Sequence, residues 1–343
     1  MRWMPCVVRS HLPSGELSVT VGHPLADEFV EVCRARCRPN TLVALAWDLK
    51  TFFTVVDKPP TRVTSADVLD FIRAQSTGGD RKIVRIDGSS GVSSRTIRRR
   101  VSSVSSFYAY LLARGDTSVT RNPVPRGLAT RRERSRPRQG VPLVRNVKTL
   151  PRVLSPADVD SLLASVRTER DKAMIEAMLL GGLRRCEVLG LRLEDVRLGE
   201  RRLFINEGKG GRQRLIPISS RFFSTLGRYL DRERPPDAGT DRVFVVLKGP
   251  RRGSPLSAAG LDEIVKGARA RAGLGHATCH ELRHTCFTRL REAGMSLEAL
   301  QAQAGHASIE TTRVYLHLAD DWLAAEYRKA ADAIDAQTLR GTR

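Results

Sequence analysis

The chain has 343 residues, of which 41% are hydrophobic and only 5% aromatic, enough for two ordinary folded domains and too many for one small module. Its 58 Lys+Arg against 37 Asp+Glu leave a formal charge of +21, a surplus that calls for a polyanionic partner. The start, MRWMPCVVRSHLPSGELSV, lacks a continuous apolar stretch, and no segment reaches the roughly 20 apolar residues of a membrane span. A secreted or membrane-embedded protein is therefore not expected. The six cysteines form no CxxC pair and no disulfide-like spacing, which suggests reduced thiols in the cytoplasm.

In chain order, residues 1–23 read as a polar tail and residues 24–120 as a helical domain. LADEFVEVCRARC (25–37) is amphipathic, with Leu25, Phe29, Val32 and Cys33 expected on one face. TLVALAWDLKTFFTVV (41–56) follows with Asn40 as its expected cap, then VTSADVLDFIRAQ, with Ser65 just before its apolar-periodic helix. In SSRTIRRRVSSVSSFYAYLLARG, Ile97, Val101, Val104, Phe107, Tyr108 and Leu111 repeat at helical spacing. The other face carries Arg95, Arg98, Arg99 and Arg100 with Ser102, Ser103 and Ser105. That face suits a nucleic-acid backbone, and equally a merely solvated surface.

Residues 121–149 are rich in Pro, Gly and Arg and read as a basic linker; a second domain occupies 150–343. LSPADVDSLLASV opens it with Ser155 as N-cap and Pro156 in the first turn. A buried helix, a break at Gly181-Gly182 and a second helix follow; RLFINEGKGGRQRLIPI then reads as a hairpin. Helices continue to DDWLAAEYRKAADAIDAQ. The expected fold is mainly α with a small antiparallel β-sheet (α+β).

Four segments of this domain place cationic or titratable residues beside glycine or on polar helix faces: GGLRRCEVLGL (181–191), EGKGGRQRLIPI (207–218), HELRHT (280–285) and AGHASIETTRVYLHL (304–318). HELRH also spells H-E-x-x-H, in which two histidines four apart could hold zinc. Arg283 would then repel the cation from the same helix, and no third ligand is identifiable, so the zinc-protease reading is set aside. A DNA-binding module without catalysis and a type IB topoisomerase are two further rival readings.

Taken together and in this order, the four segments resemble the tyrosine recombinase family of phage integrases and Xer-type recombinases, over about residues 24–335. The resemblance implies a helical N-terminal DNA-clamping domain followed by a catalytic domain. It implies Tyr315 as nucleophile, Arg184 and Arg283 as the arginine pair, Lys209 on the hairpin, and His280 and His306 completing the set. Glu187 matches an acidic residue that orients Arg184, and His284 is a supporting histidine. Arg95, Arg98, Arg99 and Arg212 are read as DNA contacts, and Arg214 as a further contact to backbone phosphate. GGLR where TGLR is commoner, and AGH where LGH is usual, bear only on the subfamily.

The chemistry suits these residue types. Paired guanidinium forks match phosphoryl oxygens, and loss of one such preorganised donor commonly lowers rate by about 10²–10³. A tyrosine of pKa near 10 must shed its proton as it attacks, and a lysine can protonate the departing 5′ oxygen. The family further implies double-stranded DNA as partner, no metal or other cofactor, a cytoplasmic, nucleoid-associated location, and a homotetramer on two DNA sites, or one completed by a paralogous recombinase. Leu323, Ala324, Tyr327, Ala331 and Ile334 form one face of the last expected helix, for docking on a neighbour or on its own domain.

Overall fold

A computed structural model of the chain describes residues 3–77, 91–125, 143–144, 152–206 and 213–305. Lys209, Arg212, His306, Tyr315 and the last expected helix lie outside the described residues. The chain divides into two compact units, Met1–Lys148 and Thr149–Arg343.

The first unit opens on a hairpin where a polar tail is expected. The stretch read as a polar tail carries an antiparallel hairpin of β1 (Val8–His11) and β2 (Leu17–Thr20), with Val8 opposite Thr20. Val19 and Val21 are buried, and Trp3 packs on Phe53 and His23, so this segment belongs to the core. Its few apolar residues are too sparse to show periodicity, which is why the sequence reads as tail.

Among the described residues, the α-helices α1 (Pro24–Arg34), α2 (Pro39–Val56), α3 (Ser65–Thr77) and α4 (Ser94–Arg114) follow. In α1 the buried face is Ala26, Phe29, Val30 and Cys33, spaced i, i+3, i+4, i+7, while Val32 is half exposed. The buried stripe is therefore displaced from the expected one. Asn40 does not cap α2; the chain enters through Arg38 and Pro39, whose fixed φ starts the helix without a side-chain cap. Before α3, Thr64 rather than Ser65 acts: its hydroxyl accepts from the Asp67 amide at 3.4 Å, and the Asp67 carboxylate accepts from the Thr64 amide at 2.8 Å. Ser93 caps α4 and Gly115 ends it. Phe29, Leu49, Phe52, Phe53, Phe71, Phe107 and Tyr108 fill the centre, and the Tyr108 hydroxyl donates to the Pro60 carbonyl at 2.8 Å. The first residues of the stretch read as linker pack here too: Asn122 Nδ2 donates to the Ser105 carbonyl on α4 at 2.9 Å.

The second unit contains α5 (Pro156–Ala164), α6 (Glu169–Gly181), α7 (Arg185–Gly190), strands β3 (Val196–Arg197), β4 (Arg202–Ile205) and β5 (Arg214–Pro217), then α8 (Ser220–Arg232), α9 (Ala258–Arg271), α10 (Cys279–Glu292) and α11 (Leu297–Ala304). Ser155 caps α5 in a reciprocal box with Asp158. Helix α6 is buried nearly all round, with Met174, Ile175 and Met178 fully enclosed, and packs against α8 and α10. The β4–β5 hairpin aligns Ile205 with Arg214, and β3 adds a third antiparallel strand on the far edge of β4. The fold is mainly helical with small antiparallel sheets, as the sequence implied.

Candidate functional site

Helix α6 ends at Gly182, which takes the left-handed conformation at φ +66°. A Cβ there would lie 2.5 Å from the Phe287 ring, so only glycine lets the chain turn this tightly over α10. Two residues on, Arg184 becomes the N-cap of α7, and Glu187 lies one turn later. The Glu187 carboxylate accepts from the Arg184 amide at 2.9 Å and from its guanidinium at 2.8 Å.

Arg283 enters from α10. It is buried, donates to the Gly182 and Ala304 carbonyls, and comes within 3.8 Å of Glu187. Its guanidinium lies over the Phe287 ring, 4.7 Å from the centroid. The glycine turn, the arginine and the ring are thus one packed unit.

A third guanidinium completes the cluster. Arg214, at the start of β5, grips Glu187 with both terminal nitrogens at 3.0 Å. Its side chain turns inward, where a contact to backbone phosphate is expected from the sequence. The signal is present in the strand alternation. Ile216 and Ile218 are buried, Leu215 and Pro217 are exposed, and Arg214 shares the inward face by its period of two.

Three guanidiniums therefore surround one carboxylate whose side chain has no exposure, a local surplus of positive charge. Burial alone would push the Glu187 carboxyl up. The Arg214 fork outweighs it, helped by the Arg184 amide and guanidinium, and holds it at about 2. Arg184, with 19% of its side chain exposed, is the member of the cluster that best reaches the surface. A surplus of fixed guanidinium donors around a saturated carboxylate is suited to a second anion, such as a phosphate.

Histidines 280 and 284 project from the first turns of α10 with Nε2 atoms 2.8 Å apart. Burial, His280 and Arg283 together lower His284 to about 4, so it is a neutral imidazole near neutral pH. A neutral His284 can accept an N–H from His280. Among the described residues, no group of three or more His, Cys, Asp or Glu is placed to hold a metal ion. Glu281, the glutamate of the H-E-x-x-H spelling, lies 3.5 Å from His276.

Arg95, Arg98 and Arg99, three further expected DNA contacts, lie in the first unit. Arg95 and Arg98 are exposed on α4. Arg98 lines an open groove of about 240 Å³ with Val101, Ser102, Ser105, Val124 and Pro125. Arg99 is different: it pairs with the buried Asp48 at 2.6 Å, and Ser103 donates to the same carboxylate. It is tied to α2 as well as turned to solvent.

Two family models match the chain: the phage integrase family over residues 152–321 and the phage integrase N-terminal SAM-like domain over 26–115. The tyrosine recombinase XerD of Listeria monocytogenes serotype 4b (strain F2365) is 30% identical over 290 residues, spanning 81% of this chain and 88% of that protein. Among solved structures, the Tn1549 transposon integrase in complex with transposon right end DNA matches with a TM-score of 0.67 at 19% identity, over 90% of this chain and 99% of the other. A lambda integrase tetramer bound to a Holliday junction matches at 0.62 and 17% identity, over 85% of this chain and 76% of the other. These matches define the class of protein: an enzyme that recombines DNA at specific sites. The chain belongs to the tyrosine recombinase, or phage integrase, family. Among the described residues no helix is long and apolar enough to cross a membrane.

Proposed function

We propose that this recombinase cuts and rejoins DNA through a covalent 3′-phosphotyrosyl link on Tyr315, using neither metal nor ATP. The Tyr315 oxygen attacks the phosphorus; the new P–O bond forms as the bond to the 5′ oxygen breaks. Lys209 gives the departing oxygen its proton, and the tyrosine proton leaves toward the imidazoles of His280 or His306. Rejoining is the same step reversed, with a 5′-hydroxyl of the exchanged strand as attacker. The phosphodiester energy is conserved in the phosphotyrosyl bond, so no external energy source is required.

The observation that carries this reading is the guanidinium cluster of Arg184 and Arg283 drawn up to the buried Glu187. Negative charge grows on the phosphoryl oxygens as the tyrosine attacks, and fixed donors stabilise it without reorganising. Arg95 and Arg98 of α4, with Arg212, are assigned to backbone phosphates, where each neutralised charge releases counterions. Four protomers on two double-stranded DNA sites would exchange strands in pairs through a Holliday junction, in the cytoplasm at the nucleoid. The lambda integrase assembly on such a junction, a relative in fold, supports that arrangement.

The test is covalent capture. Wild type and Tyr315→Phe are incubated with nicked duplexes carrying a randomised core, with and without EDTA, and denaturation-resistant adducts are sequenced. Adducts that share a sequence, persist in EDTA and vanish in Tyr315→Phe are the expected result. DNA binding without adduct in wild type would contradict the reading.

A further inference from the structure

Arg214 lies deep in the guanidinium cluster, and its contacts define a task for it. Its terminal nitrogens make the paired 3.0 Å bonds to Glu187, and its Nε donates to the Gln303 carbonyl at 3.1 Å. Gln303 in turn donates from one amide nitrogen to the Gly181 carbonyl and to the Pro217 carbonyl, both at 3.1 Å. Gly305, at φ +61°, ends α11 against the same guanidinium. A Cβ on it would come within 3.0 Å of Arg214 Nη1 and 3.1 Å of Cζ. From the first residue of β5, one side chain thus touches the helix that presents Arg184 and the turn that precedes His306.

A guanidinium has five N–H donors, and three nitrogens of Arg214 are already engaged within the protein. With 11% of its side chain exposed, it could offer a DNA phosphate its paired terminal nitrogens only by releasing Glu187. That would leave a fully enclosed carboxylate without its bidentate partner, a strongly unfavourable exchange.

We propose that Arg214 is a positioning residue for strand cleavage: it fixes Glu187, and through it Arg184, in register with the hairpin and the Gly305 turn. It does not itself hold DNA. This rests on the proposed cleavage reaction and adds a residue to it. Three consequences separate positioning from a DNA contact and from a purely structural role. A phosphate ligand would contribute to the salt dependence of DNA binding, lowering the slope by about 1 when removed. A merely structural residue would lower stability while leaving each folded molecule as active as before. A positioning residue lowers the cleavage rate at saturating DNA and changes its pH profile, because Glu187 is left to titrate without the fork that keeps it ionised.

The experiment uses the full chain and a nicked duplex that the wild type cleaves. Arg214→Met is expected to slow single-turnover adduct formation by about 10²-fold or more, with Kd and its salt slope as in wild type. The acid limb of its rate profile moves to higher pH. Arg214→Lys keeps one charge but no fork; it is expected to fall between, with an intermediate acid limb, and it decides the matter if Arg214→Met does not fold. A salt slope reduced by about 1 with weakened Kd would make Arg214 a DNA ligand and overturn the proposal. So would a rate and pH profile equal to wild type in folded Arg214→Lys. Failure of the wild type to form adduct would instead overturn the functional reading, and this inference with it.

Discussion

Asp48 in the first unit and Glu187 in the second are buried carboxylates under arginines, held in opposite ways. Asp48 in α2 is 1% exposed and meets Arg99 at 2.6 Å and Ser103 at 2.9 Å. Burial there outweighs Ser103 and the nearby arginines, and the carboxyl is raised. Glu187 is as deeply enclosed, yet the Arg214 fork and Arg184 depress it to about 2. The difference lies in geometry and number. Arg99 reaches Asp48 from a half-exposed position with one nitrogen, where solvent weakens the pair. Arg214 and Arg184 close on Glu187 from within the fold, and Arg283 adds a third charge at 3.8 Å. One arrangement uses its arginine as a local strut. The other leaves surplus positive charge at a fixed place, which is the requirement for gripping a phosphate.

Acid should separate the two sites most strongly. Because the folded Glu187 pKa lies below its ordinary 4.5, its stabilisation is complete above about pH 4.5 and is lost as pH falls towards 2. The shift corresponds to roughly 3 kcal/mol at neutral pH. Asp48 is shifted the other way, so its protonation on acidification favours the folded first unit. Hydrogen exchange on peptides of α6 and α4 should therefore show a steeper acid loss of protection in α6. That excess should disappear in Glu187→Gln. Equal acid slopes in wild type would remove the contrast.

A smaller effect is expected at the other site. Asp48→Asn keeps an acceptor for Ser103 and Arg99 while removing a charge that burial disfavours, so it should cost the first unit no more than about 1 kcal/mol. Denaturant unfolding measures this. A loss of about 3 kcal/mol or more would show that the Asp48 charge is needed and that the two sites are alike.

Much of this contrast was legible in the sequence, in unequal parts. The glycine break before Arg184, the i,i+3 placing of Glu187, and the Ser155–Pro156 helix start rest on local rules and were readable directly. The inward turn of Arg214 was readable in principle from the alternation with Ile216 and Ile218. The polar letters around the hairpin point to DNA instead. Gln303, which ties α11 to Gly181 and Pro217, carries no local signal, because its partners lie 122 and 86 residues away. The Arg99–Asp48 pair spans 51 residues and is hidden for the same reason. The N-terminal hairpin escapes notice because two four-residue strands, the first exposed throughout, have almost no periodicity.

The central claim, that a carboxylate-organised guanidinium cluster drives strand cleavage, is tested most directly by Glu187→Gln at saturating DNA. Single-turnover adduct formation should fall by about 10²-fold while DNA affinity stays near that of wild type. A folded Glu187→Gln protein that cleaves at the wild-type rate would contradict it.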